Sequence, residues 1–144
     1  MLKIVMIVFA AVAFWSGTVN AQQKYPNVPP GIFRDGLLAA DKGDYATALK
    51  NYKIAGGQGN LVALMNVGYY FETGKGVKKD YPEAARWYKL ASEGGYAAAS
   101  ARLAEMHKIG EGVEQSDTEY VRLLRLASAQ GDSRSTNLLR SMNR

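Results

Sequence analysis

Residues 74–95 read GKGVKKDYPEAARWYKLASEGG and residues 110–131 read GEGVEQSDTEYVRLLRLASAQG. Laid over one another without a gap, Gly74-Lys75-Gly76-Val77 falls on Gly110-Glu111-Gly112-Val113, and Leu90-Ala91-Ser92 falls on Leu126-Ala127-Ser128, an offset of 36 residues. Gly59, Gly95 and Gly131 share the offset. One unit earlier, Asp44-Tyr45 lies under Asp80-Tyr81, Ala48 under Ala84, Tyr52 under Tyr88 and Ala55 under Ala91. Gly36 pairs with Gly68 only if the loop before Asp44 is shorter, which lowers the offset there to 32 residues. A fixed period of this length marks a repeat protein, so the repeat is read before any single motif.

Each unit reads as two helices. In the second, Val62, Met65 and Tyr69, and likewise Leu64, Val67 and Phe71, recur at helical spacing. Gly74 and Gly76 end that helix, because glycine adopts left-handed backbone angles without steric cost. The partner helix starts at Asp80 with Glu83 three residues on, and Ser116 with Glu119 repeats the arrangement. This spacing predicts a capping box in both units. Pro82 stands in the first turn, where its missing N–H is harmless.

The chain resembles the Sel-one-like repeat family, a relative of the tetratricopeptide repeat. The resemblance is carried by Gly74, Gly76-Val77, Asp80-Tyr81, Ala84, Trp87-Tyr88, Ala91 and Gly94/Gly95, with Ala63, Val67-Gly68 and Phe71 before them. The third unit keeps Ala99, Leu103, Gly110, Gly112, Val113, Ala127 and Gly131, but carries Ala104 for Gly, His107 for Tyr, Ser116-Asp117 for Asp-Tyr and Leu123 for Trp. The first unit has the short turn Lys42-Gly43-Asp44. The resemblance implies an all-α solenoid of three helix-turn-helix repeats, at 33–59, 60–95 and 96–131. Residues 132–144 are expected to form a capping helix and tail, with Leu138, Leu139 and Met142 turned inward. Such units cannot bury their apolar faces alone and must stack.

Ahead of the repeats stands Lys3 and the apolar run Ile4–Trp15, then Val19-Asn20-Ala21. This pattern predicts a secretory signal cleaved after Ala21, too short to span a bilayer, and hence a periplasmic or secreted protein. Residues 22–32, with Pro26, Pro29 and Pro30, read as an extended lead-in.

The chain has 144 residues, no Cys, one His and a net charge of +5. Disulfides, thiolate nucleophiles, cysteine-ligated metals and paired-imidazole sites are therefore excluded. His107 falls in a slot where the family carries Tyr and reads as a packing residue. Gly74-x-Gly76 lacks the strand and the Lys-Ser/Thr pair of a phosphate loop. Catalytic residues, metal and cofactor are expected to be none.

The resemblance makes the family's shared property, binding other proteins or peptides, the expected function. The first helix of each unit should line a hollow, presenting Arg34, Leu37 and Asp41; Asn66, Tyr69 and Thr73; and Arg102, Glu105 and Ile109. Tyr69 would be buried by the partner, with Arg34, Arg102, Asn66 and Glu105 orienting it through charge-assisted bonds. The second helices carry two rows of cations 36 residues apart, Lys50, Arg86 and Arg122, and Lys53, Lys89 and Arg125. These rows read either as a solvated face or as a surface for anionic headgroups or an acidic partner. No nucleic acid is expected, and any membrane contact would be peripheral. The primary reading is an adaptor or regulator of an envelope protein. The alternatives are an inhibitor or immunity protein that neutralises a toxic enzyme, and a hydrolase acting on cell wall.

Overall fold

The computed structural model describes residues 24–143, and every regular element in that span is an α-helix. The expected signal segment 1–21 lies outside the described residues. The helices are α1 (Ile32–Asp41), α2 (Tyr45–Gly57), α3 (Leu61–Thr73), α4 (Tyr81–Glu93), α5 (Ala97–Ile109), α6 (Asp117–Ala129) and α7 (Ser133–Met142). Each packs on its neighbours in sequence, giving an all-α solenoid of helix pairs.

Local chemistry sets the starts and stops. Asp44, Asn60, Asp80, Ser116 and Asp132 each accept, through the side chain, the amide three residues on. Gly74 (φ 74°) and Gly110 (φ 75°) end α3 and α5 in the left-handed region. The expected capping boxes close only by half. Asp80 Oδ1 accepts from Glu83 N at 2.9 Å and Ser116 Oγ from Glu119 N at 3.2 Å. The return bonds are absent because the cap amides are already used: Asp80 N donates to the Phe71 carbonyl and Ser116 N to the His107 carbonyl. The freed carboxylates turn along their helices instead, Glu83 to Arg86 and Trp87, Glu119 to Arg122.

The repeat period is a packing period. A Cβ placed on Gly68 would lie 2.5 Å from the Tyr88 ring, and one on Gly36 2.7 Å from the Tyr52 ring. Those glycines are the sockets in which the tyrosines are buried. In the third unit Ala104 occupies the socket, and Leu124 stands where Tyr52 and Tyr88 stand. The smaller knob makes room for the added methyl. Gly76 sits against the backbone of Tyr45, and Gly112 against that of Tyr81, so each loop docks on the start of the previous unit's second helix.

Helix α7 follows the same register. Ser128 Oγ meets Thr136 Oγ1 at 2.6 Å, as Ser92 Oγ meets Ser100 Oγ at 2.6 Å one period earlier. This capping helix thus meets α6 through the same kind of contact that a first helix makes with the unit before it. Arg140, which is exposed, takes the register position of Gly68 and Ala104. Leu139 alone of the three expected apolar residues packs into the core; Leu138 and Met142 are exposed.

The lead-in is not extended where it is described. Val28 N donates to the Tyr25 carbonyl, closing a turn that lays residues 24–28 against α1.

Candidate functional site

The exposed side of the first helices, α1, α3 and α5, is termed the inner wall. On α3, Ala63, Val67 and Phe71 are buried, which rotates Val62, Tyr69 and Thr73 outward, while Met65 packs against the core. Tyr69 is 42% exposed and Val62 41%. The Thr73 hydroxyl donates to the Tyr69 carbonyl at 2.7 Å, and Asn66 is half-buried beside them. On α5, Glu105 is exposed and Ile109 is 60% exposed. Lys75 Nζ stands 5.0 Å from the Tyr69 ring centre and 5.2 Å from that of Tyr45, a cation held by two exposed rings.

Two guanidiniums expected to grip a partner are committed inside the chain. Arg34 is buried, 4% exposed, and its Nη2 donates to the Tyr25 carbonyl at 3.1 Å. Its expected place on the open wall is therefore overturned, because the folded lead-in covers it. Asp41, at the end of the same helix, accepts from Tyr25 Oη at 2.5 Å and pairs with Lys24 Nζ at 2.8 Å. Burial, together with that bond, pushes the Tyr25 phenol up to about 12. Leu37 is half-buried against the core.

Arg102 is clamped between acids. Its Nε and Nη2 donate to Glu72 of α3, and its Nη1 donates to Glu105 at 2.6 Å. Tyr88 Oη donates to the same Glu72 carboxylate at 2.5 Å. Burial opposes ionisation of Glu72, but the hydrogen bonds from Arg102 and Tyr88 outweigh it and hold the carboxyl below its ordinary 4.5. One ion pair thus ties three helices from two successive units, and Arg102 offers a partner only the edge this leaves. Glu72 and Val62 were missed in the sequence. No local signal marks Glu72, whose equivalent one unit earlier is Ala40.

The centre of the wall is therefore apolar and aromatic, with the neutral Asn66 and Thr73 beside Tyr69 and the charged groups of Lys75 and Glu105 also on it. His107 is half-buried with Nδ1 3.0 Å from the Glu114 carbonyl. Among the described residues no group of three or more His, Asp or Glu is placed to hold a metal ion, and no helix is long and apolar enough to cross a membrane.

A family model of the Sel1 repeat matches residues 61–96 and 97–132, half of the chain. The chain belongs to the Sel1 repeat family. Its Sel1 units are α3–α4 and α5–α6, the two pairs joined by the Glu72–Arg102 clamp. Among solved structures it is similar to a Sel1 repeat protein from Oxalobacter formigenes, with TM-score 0.66 and 27% identity over 72% of this chain and 42% of that one. It is also similar to c5321, a protective antigen of uropathogenic Escherichia coli strains with the SLR fold, at TM-score 0.61 and 31% identity over 63% of this chain and 20% of that one. The chain therefore spans about two fifths and one fifth of the length of these two proteins. Helicobacter pylori cysteine rich protein B matches at TM-score 0.65 and 18% identity, over 85% of this chain and 98% of that one, a likeness of fold alone. No curated protein matches the sequence. Sel1 repeats are in general protein–protein interaction modules and non-catalytic scaffolds.

The exposed side of the second helices, α2, α4 and α6, is termed the outer wall. All six cations of the two sequence rows are exposed there. Arg86 pairs with Glu83 at 2.9 Å, Lys89 with Glu93 at 3.9 Å and Arg122 with Glu119 at 2.8 Å, while Lys53 lies 5.0 Å over the Phe71 ring. Lys50 and Arg125 make no ion pair among the described residues.

Proposed function

We propose that this protein works outside the cytoplasm, after loss of residues 1–21, as an adaptor or regulator that takes an extended peptide segment of an envelope protein along its inner wall. The observation that supports the reading is the exposed pair Tyr69 and Val62 at the middle of a wall whose guanidiniums are internally engaged. Ligand selection then rests on apolar burial and on neutral donors and acceptors, with Asn66 able to offer both to a peptide backbone. A tyrosine in such a place supplies large contact area with a polar tip, the profile of an interface anchor. Lys75, held by Tyr69 and Tyr45, adds one cation for a carboxylate at the rim.

The test is selection of binders from a library of extended peptides, followed by affinity measurement with variants. Tyr69→Ala should weaken selected peptides by about thirtyfold, the cost of a ~2 kcal/mol hot spot. Outer-wall variants such as Lys50→Gln should leave them unchanged. Peptides that bind Tyr69→Ala and the parent equally would remove the inner wall from consideration. The export half is tested separately, by the N-terminal sequence of the protein recovered from the producing cell; a chain still beginning at Met1 would overturn it.

A further inference from the structure

The second helices carry an apolar row that the peptide-binding reading does not use. Ile54, Leu90 and Leu126 stand at equivalent places on α2, α4 and α6. Ile54 is 42% exposed and Leu90 49% exposed, while Leu126 is half-buried and packs against the core. On α4 the buried stripe is Ala84, Tyr88 and Ala91, and Leu90 projects from the opposite side. One turn before each apolar residue stands a cation, Lys50, Arg86 or Arg122, and immediately before it another, Lys53, Lys89 or Arg125. Only three of the six cations meet a carboxylate. The outer wall is thus a line of apolar tips edged by positive charge in excess of its acids.

We propose that this wall docks on the surface of an anionic phospholipid bilayer. Ile54 and Leu90 enter the boundary between headgroups and acyl chains, and the flanking cations meet headgroup phosphates. Two features favour lipid over an acidic protein. The apolar row is one side chain wide and stands on helix crests, so a rigid protein would have to supply a matching trough for each tip, whereas a bilayer conforms. The cations are long, flexible and spread along the whole row, which suits a continuous anionic plane better than a few fixed carboxylates. Docking this way leaves the inner wall facing solution.

The chain contains no Cys, so a single introduced thiol carries an environment-sensitive fluorophore at one chosen place. The full chain is labelled at L90C on the outer wall or at T73C on the inner wall and mixed with vesicles of phosphatidylcholine alone or with phosphatidylglycerol. The apolar run Ile4–Trp15 can hold the chain to any vesicle, so the face that meets lipid is the readout, not binding as such. The expected result is a blue shift and quenching by acyl-chain spin labels at position 90, only with phosphatidylglycerol, and a water-like label at position 73. K50Q and R125Q should each lower the ratio of lipid-embedded to water-exposed label about fivefold. A water-like label at position 90, an equal response at position 73, or the same response on phosphatidylcholine alone would overturn the proposal. A label at position 90 that is silent on vesicles but shielded by an acidic protein would overturn it in favour of a protein partner.

Discussion

Gly112 does two jobs that the sequence shows as one. Its period with Gly76 reads as helix punctuation, and its φ of 72° agrees. What spacing does not reveal is that a Cβ there would also lie 2.5 Å from the Tyr81 carbonyl oxygen and 2.8 Å from Pro82 N. That contact joins residues far apart in the chain and depends on how units nest, which no local pattern records. Gly95 provides the comparison, since its φ is 98° but nothing lies within 4 Å of its Cβ position. Gly95→Ala should therefore cost backbone strain alone, about 1 kcal/mol, and Gly112→Ala about 3 kcal/mol, because rigid backbone must also move. Urea denaturation of the two variants checks this; equal losses would mean that the loop docks without the close approach. Arg34 shows the opposite limit of legibility. Its place in the register put it on the open wall, but a segment outside the repeat covers it.

Among the elements, α3, α4 and α5 meet at one carboxylate. Glu72 is held ionised by Arg102 and Tyr88 against the cost of burial, so its folded pKa is below the ordinary 4.5. The contribution of this clamp is complete above the unfolded value and is lost as pH falls through the folded one. Glu72→Gln should therefore destabilise by ~1 kcal/mol at about pH 6, a figure kept small because Arg102 is partly solvated, and the gap to the parent should narrow at a pH below the folded value. Chemical denaturation at the two pH values measures it; a gap independent of pH would assign the loss to packing. Arg102→Ala should cost more, about 2 kcal/mol, since it leaves a part-buried carboxylate without its cation. A parent-like melt would show that the clamp adds no stability. The helices themselves were legible because caps, glycine stops and apolar spacing are local. The clamp was not, because Glu72 and Arg102 have no counterpart pair at the other unit boundaries: Ala40 and Asn66 hold the equivalent places one unit earlier.

For the whole molecule, stacking means that each unit is held only by its neighbours, so interior helices have support on two sides and terminal ones on one. The fold class could be read from the 36-residue period for this reason: a solenoid's long-range contacts are its short-range ones repeated. Its ends break the rule and were read less well. At one end, α7 keeps the serine–threonine bond of the repeat but leaves Leu138 and Met142 exposed. At the other, Tyr25 gives its carbonyl to Arg34 and its hydroxyl to Asp41, standing in for the helix that a preceding unit would supply. Amide exchange should therefore be slowest in α3–α5 and fastest in α1 and α7, in the order that one-sided support dictates. Tyr25→Phe keeps the carbonyl but removes the bond to Asp41, so exchange in α1 should quicken severalfold, about what a lost hydrogen bond of ~1 kcal/mol gives, while α5 stays as it was. Uniform acceleration across all helices would mean that the stack opens as one unit and that the lead-in is not a local cover. Unchanged exchange in α1 would mean that Arg34 is kept buried without it.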